Sequence, residues 1–348
     1  MSLLYFEGFD AHGMITDMVD SHQNWTDGTL FQLGVIGIGR RSTRGGQVPG
    51  GTITTYWGKY ELDTEQTDLI IGFAVKPTAG TANSCFLTLM NAAGTTQFVL
   101  DCTEAGRVRV KTSPTGSVLA ESADGAITFA IYQYFEIKFT CDGSDTVQVR
   151  VNGADVITST SGLNLRQAGS GGVKFIRWNG FTTSSSQDAY IDDLYIENQS
   201  GAKYKDFLGD VKADAFWPTA DATYQQFTSN RPTHYDAIND VGDAAVTYYI
   251  EEDTVGQKDS FTLTPTGDLP TIHAIMIRSI ARNSDTGIAE GTPFVRYGGV
   301  DYDQTPFERG DTYLYDDTIL TARPDTGGVL TKAFLEAMEF GWEFSAAS

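Results

Sequence analysis

The chain is short of the residues on which most catalysis and most nucleic-acid binding depend. It has 4 His and 3 Cys in 348 residues, and 24 Lys+Arg face 45 Asp+Glu for a formal net charge of −21. Affinity for a phosphate backbone comes largely from cationic side chains, so this balance excludes a nucleic-acid binder that works through a general basic surface. No direct nucleic-acid contact is expected. No apolar run approaches the ~20 residues of a bilayer span, so no membrane insertion is expected either. Met1 to Glu7 has no basic segment and meets an acid at Glu7, unlike a secretory leader. Cys85, Cys102 and Cys141 are odd in number, far apart and without CxxC spacing. Each sits in or beside an apolar strand pattern and reads as a buried small hydrophobe, against a disulfide or metal role. This usage fits assembly in a reducing cytoplasm.

What fills the sequence is glycine and aromatics: 37 Gly, 20 Phe and 16 Tyr. That is the palette of short strands joined by tight turns. Ile70 to Val75 reads as a strand buried on both faces, and Cys85–Met90, Asn91–Gly94 and Gln97–Leu100 read as strand, turn and strand. Arg107 to Lys111 alternates basic and apolar, which predicts one wet face. Thr146 to Val151 followed by Asn152-Gly153 predicts a type I′ hairpin. Many strands of this length at turn spacings near ten argue for an all-β two-sheet sandwich or jelly roll. The second part is again β-rich. Only Leu330 to Met338 has helical apolar spacing, with Leu330, Phe334, Leu335 and Met338 on one face. Composition shifts near residues 201–206, which sets the expected domains at 1–203 and 204–348. From Asp206 onward there are 24 acidic and 9 basic residues, so −15 of the total charge belongs to the second part.

Candidate chemistry is sparse. There is no GxSxG elbow and no HExxH helix, and His234-Tyr235-Asp236 is a spacing common by chance. The catalytic alternative is Glu61-Leu62-Asp63-Thr64-Glu65. On a strand Glu61, Asp63 and Glu65 share one face, where two glutamates could flank a glycosidic bond. A solvated lead-in to the next strand is the competing reading. Glu7 and Asp10 on the first strand, with Asp192 and Asp193 on the last, are hard oxygen ligands of the kind Ca²⁺ takes. Side-by-side first and last strands would gather them into a structural calcium site; no cofactor is otherwise required. Trp25, Trp57 and Trp178 exceed what the core pattern needs. Trp178, Asn179 and Phe181 are expected on an exposed loop facing a glycan, with ordinary sandwich core as the bland alternative. Phe334, Met338 and Trp342 are expected to anchor a docking surface.

The blocks LLYFEGFD, FEIKFTCDGSDTVQVRVNG and YIDDLYIENQSG resemble the laminin-G-like or concanavalin-like jelly roll over about residues 1–200. The later blocks FLGDVKADAFWPTAD, HYDAINDVGDAAVTYYIEEDTVGQKDSFTL and RPDTGGVLTKAFLEAMEFGWEF are similar to the C-terminal halves of structural proteins from tailed bacteriophages. The resemblance implies a non-enzymatic virion component: a tail, fibre or baseplate piece, or a capsid decoration. It implies other virion proteins as partners, with host-surface glycan as a further contact, and it transfers no catalytic residue. Phage appendages are commonly symmetric, so a homo-oligomer is expected, with a trimer as the working assignment. A carbohydrate-binding adhesin and a glycosidase using Glu61 and Glu65 are the rival readings.

Overall fold

The computed structural model describes residues 3–10, 25–27, 32–36, 38–40, 44–48, 57–77, 84–167, 171–179, 189–201, 203–239 and 247–347. The chain divides into two units, the first running essentially to Asp214 and the second from Ala215 to the C-terminus. Residues 204–214, placed in the second part by composition, therefore belong to the first unit. Among the described residues no helix is long and apolar enough to cross a membrane.

The first unit begins with β1 (Leu3–Glu7), β2 (Trp25–Asp27), β3 (Gln32–Ile36), β4 (Arg44–Val48) and β5 (Trp57–Gln66). It continues with β6 (Asp68–Pro77), β7 (Ser84–Met90), β8 (Thr96–Cys102), β9 (Val108–Lys111) and β10 (Val118–Glu121). Its last strands are β11 (Gln133–Thr140), β12 (Thr146–Val151), β13 (Ala154–Ser161), β14 (Val173–Asn179) and β15 (Ala189–Asn198). One sheet has the order β13-β12-β11-β6-β15-β4-β3 with β1 also on β15; the other has the order β10-β9-β8-β7-β14-β5-β2. This is the all-β jelly-roll sandwich that the strand pattern predicts.

Alternation along each strand decides what faces inward. Phe73, Phe135 and Phe139 of the eight-stranded sheet meet Trp178, Phe86 and Phe98 of the seven-stranded sheet, with ring centroids 4.9 to 6.2 Å apart. Trp25 stacks on Trp178 at 5.6 Å and lies edge-on to Tyr5 at 6.3 Å. Trp178 and Asn179, expected on an exposed loop, are instead the end of β14 and each only 1% exposed. Trp178 points to the core because its ring has the opposite sheet to cover it. Trp25 is core for the same reason, while Phe181 and the Trp57 side chain lie outside the described residues. Asn152 and Gly153, with φ of 49° and 78°, make the predicted tight turn between β12 and β13.

β1 does lie beside β15, pairing Glu7 with Leu194. β15 pairs first with β4 and then with β1, and its register on β6 breaks between Asp192 and Tyr195. Asp193 at φ 50° supplies that irregularity. Beyond it, Tyr195 is directed over Gly72 of β6. A Cβ at Gly72 would stand 2.0 Å from the tyrosine ring, so only glycine fits there.

The second unit contains β16 (Pro218–Gln225), β17 (Thr228–Ser229), α1 (His234–Ile238), β18 (Ile250–Glu251), β19 (Lys258–Leu263) and β20 (Ile275–Ala281). β21 (Ala289–Tyr297), β22 (Val300–Asp303), β23 (Phe307–Arg309), β24 (Leu314–Leu320), α2 (Lys332–Ala337) and β25 (Glu339–Ala347) complete it. The main sheet runs β16-β19-β25-β21-β22. α2 is the short C-terminal helix that the apolar spacing predicts, opened by the Thr331 side chain accepting from the Phe334 amide. Phe334 and Met338, expected to anchor docking, are each 1% exposed and form the core with Phe261, Val295 and Phe340. Trp342 packs against the same cluster. An amphipathic helix buries its apolar face against whatever sheet is nearest, and here its own sheet is available. Phe334→Ala should therefore cost the second unit about 3–5 kcal/mol of stability, read from its denaturant unfolding transition. An unchanged midpoint would return these residues to the surface.

Candidate functional site

The outer face of the seven-stranded sheet collects the first unit's unusual chemistry. With Trp178, Leu87, Leu89, Phe98, Leu100, Val108 and Val110 directed inward and buried, the alternate positions face out. Register then aligns Lys59 of β5 with Arg177 of β14, Arg177 with Thr88 of β7, Thr88 with Val99 of β8, and Val99 with Lys111 of β9. Three cations thus lie in one cross-strand row, in which Lys59 and Arg177 are partly exposed while Thr88, Val99 and Lys111 are buried. At ~4.8 Å between strands the row spans about 19 Å.

The neighbouring row carries Asp101 of β8, Arg109 of β9 and Glu121 of β10. Asp101 is 0% exposed and receives two hydrogen bonds from Arg109 at 2.7 Å each. Lys111 Nζ lies 3.1 Å from the same carboxylate and donates to the Pro114 carbonyl at 2.7 Å. One buried acid therefore serves two cations, and Glu121 beside Arg109 brings the cluster to charge balance. Of the Arg107–Lys111 strand, expected to have one wet face, Arg109 and Lys111 turn into this cluster while Arg107 stays partly exposed and pairs with Glu121 and Asp124. Sequence alternation located Arg109 and Lys111 but could not place Asp101 opposite them.

Around Arg177 the face carries hydrogen-bonding groups. Asn179 Nδ2 donates to Thr88 Oγ1 at 3.0 Å and to Cys85 Sγ at 3.7 Å, while Asn179 Oδ1 is buried without a donor. Burial works against the charge of Arg177 and raises the Cys85 thiol to about 11, so Cys85 is no nucleophile at neutral pH. Lys59 Nζ stands 4.4 Å from the centre of the Phe175 ring. Cys85, Cys102 and Cys141 are all buried and free.

Glu61, Asp63 and Glu65 lie on β5, not on a loop. Their geometry does not serve the glycosidase reading. Residues four apart on a strand are separated by ~13 Å, beyond the carboxylate spacings of retaining or inverting hydrolysis, ~5–9.5 Å. Glu61 pairs with Lys174 at 3.2 Å, and Glu65 accepts the Ala92 amide at 2.8 Å, holding the β7–β8 turn. His234 Nδ1 lies 2.5 Å from buried Asp259, not from Asp236, which pairs with Arg231. His234 opens α1, whose first amides donate to Asp221.

The four acids expected to hold calcium are occupied by donors of the chain. Glu7 accepts from Tyr5 OH and the Phe9 amide at 2.9 and 2.7 Å. Asp10 accepts the Arg44 amide, Asp192 the amides of Arg40 and Asp193, and Asp193 the Ala213 amide, all at 2.7–2.9 Å. Among the described residues no group of three or more His, Cys, Asp or Glu is placed to hold a metal ion. Burial and the adjacent Asp193 carboxylate push Asp192 well above the usual carboxylate range, a repulsion that a bound cation would relieve.

No family model matches the chain, and no curated protein matches it. Solved structures that resemble it include the cellulose-induced protein Cip1, at 14% identity over 51% of this chain and 87% of that one, with a TM-score of 0.36. The metal-free carbohydrate recognition domain of Emp46p matches at 10% identity over 55% and 95%, TM-score 0.38. A variant of alginate lyase Aly36B with alginate tetrasaccharide matches at 12% over 57% and 97%, TM-score 0.37. At TM-scores of this size the likenesses carry no argument about ligand or activity.

Two measurements check the site's physics. Asp101→Asn leaves Arg109 and Lys111 without their buried carboxylate and should cost the first unit about 3–5 kcal/mol in denaturant unfolding. EDTA should leave the melting temperature of the protein unchanged. A drop of several degrees on chelation would show that a bound ion contributes to the native state.

Proposed function

We propose that the protein is a non-enzymatic structural component of a tailed-phage particle whose first unit holds an acidic glycan on the outer face of the seven-stranded sheet. The observation that carries the glycan reading is the pair of partly exposed cations Lys59 and Arg177, aligned on β5 and β14 of the outer face. An extended polyanion with a carboxylate or sulfate on successive sugars suits such a pair of cations. A guanidinium recognises a carboxylate with two parallel hydrogen bonds. The Phe175 ring, with Lys59 over it, adds apolar surface beside the two cations. The glycosidase alternative has no paired carboxylates at Glu61 and Glu65.

The virion assignment rests on the sequence blocks of the second part and on its acidity. A subunit with this charge stays soluble before assembly and avoids capture by the packaged genome. Its partners would be other virion proteins presenting basic faces. A homo-oligomer suits the symmetry of such particles.

Titration calorimetry with a uronate-rich polysaccharide and a neutral β-glucan tests the glycan reading. Binding should be confined to the acidic polymer and weaken with salt. It should fall about tenfold or more in Arg177→Ala, as for a lost charge-assisted hydrogen bond. Equal binding to the neutral glucan, or none to either polymer, would sink it. Antibody labelling of purified particles tests the virion placement separately, and particles that contain none of the protein would overturn that part alone.

A further inference from the structure

The other outer face of the sandwich, that of the eight-stranded sheet, is crossed by residues 204–214, the segment that leads into the second unit. This strap is fastened along its length. Lys138 Nζ donates to the Lys205 carbonyl at 3.1 Å and pairs with Asp206 at 3.4 Å. The Leu208 amide donates to Tyr195 OH at 3.2 Å, the Gly209 amide to Glu136 Oε1 at 2.7 Å, and the Ala213 amide to Asp193 at 2.9 Å. Arg150 stacks over Phe207 at 4.3 Å, and Arg40 pairs with Asp210. Gly8 lies so close beneath that a Cβ there would meet the Ala213 carbonyl oxygen at 2.2 Å. The strap begins at Tyr204, a non-glycine residue held at φ 58°.

Beside these fastenings lies Glu197, on the row Lys138–Ile70–Glu197 across β11, β6 and β15. It is 0% exposed, and neither carboxyl oxygen has a hydrogen-bond partner. The groups that face it are Glu136 and Lys138 from β11, Tyr195 from its own strand, and Tyr204 and Asp206 from the strap. Two acids thus oppose one lysine. Burial first, then Glu136, pushes Glu197 up to about 9. Tyr195 is itself committed, donating to Glu136 at 2.7 Å, and Lys138 Nζ is turned to the Lys205 carbonyl and Asp206.

We propose that residues 204–214 form a proton-dependent latch, closed while Glu197 is neutral and released when it ionises beneath the strap beside Glu136 and Asp206. Linkage sets the sign. The closed state binds a proton that the open, solvated state gives up above the ordinary glutamate range, so closure is strongest at low pH, weakens as pH rises from that range toward 9, and levels off above it. Release frees the chain that joins the two units and exposes Glu136, Tyr195 and Glu197.

Limited trypsin digestion of the full chain, read by mass spectrometry at Lys205 and Lys212, tests the latch. Glu197→Gln, assayed at each pH, cancels the protease's own pH dependence and the titration of Lys138. Between pH 7 and pH 10 cleavage at these sites should rise about a hundredfold in the unmodified protein relative to Glu197→Gln, since each pH unit between the open-state and closed-state pKa values shifts the latch about tenfold and the shift levels off above 9. Lys138→Met, which removes two fastenings and leaves Glu197 in place, should be cleaved at these sites even at pH 7. Parallel pH profiles for the unmodified protein and Glu197→Gln would overturn the proposal. So would protection of Lys205 and Lys212 in Lys138→Met at pH 7, because cleavage there would then not report the strap.

Discussion

The aromatic contacts between the two sheets of the first unit fix which side chains of their strands face the core between the sheets and which face outward. Once Trp178, Phe86 and Phe98 are committed to Phe73, Phe135 and Phe139, the facing of their strands is set, because side chains alternate with period two. A one-residue slip of β14 would exchange Trp178 for Arg177 in the core. The apolar penalty of that exchange, together with the cost of burying an unpaired guanidinium, holds the register. The cation row on the outer face is therefore a consequence of core packing. It exists in line because the inward residues leave those positions no other side to occupy.

The two outer faces handle buried polar groups differently. On the seven-stranded sheet, Asp101 is buried but answered by Arg109 and Lys111, so the burial cost of one carboxylate is offset by two charge-assisted partners. On the eight-stranded sheet, Glu136 receives Tyr195 OH and the Gly209 amide, whereas Glu197 receives no hydrogen bond. A carboxyl in that position stays neutral more cheaply than it ionises. The strap over this face supplies backbone amides to its neighbours and none to Glu197. Satisfied and unsatisfied acids thus sit side by side under one segment, which makes the segment sensitive to a proton.

The second unit repeats the logic with charges turned outward. α2 closes its core through Phe334 and Leu335, while the opposite face of its sheet carries Lys258, Arg296, Asp301, Glu339 and Tyr224 in mutual contact. Gly341 lies beneath Phe294, whose ring would meet a Cβ at 2.8 Å. Part of the unit's acidity is consequently internal to ion pairs.

The all-β class, the tight turn at Asn152-Gly153, the buried strand Ile70–Val75 and the apolar face of α2 were legible in the residues alone, because each depends on spacing within a few positions. So was the neighbourhood of the first and last strands. Exposure was not legible: Trp178, Asn179, Phe334 and Met338 look available in sequence and are buried, since whether an aromatic is covered depends on a partner far away in the chain. The Glu61–Glu65 pair shows the same limit from the other side, since both lie on β5 while their partners Lys174 and the Ala92 amide come from other segments. Asp192 and Asp193 were correctly placed beside β1, yet which donors their carboxylates meet was set by Arg40 and Ala213. The sequence by itself determined the strands, their alternation and the division of charge, all short-range quantities. Only the tertiary structure decided that Lys59, Arg177 and Lys111 share a row and that Glu197 lies under a strap, because both depend on register between segments that are distant in the chain.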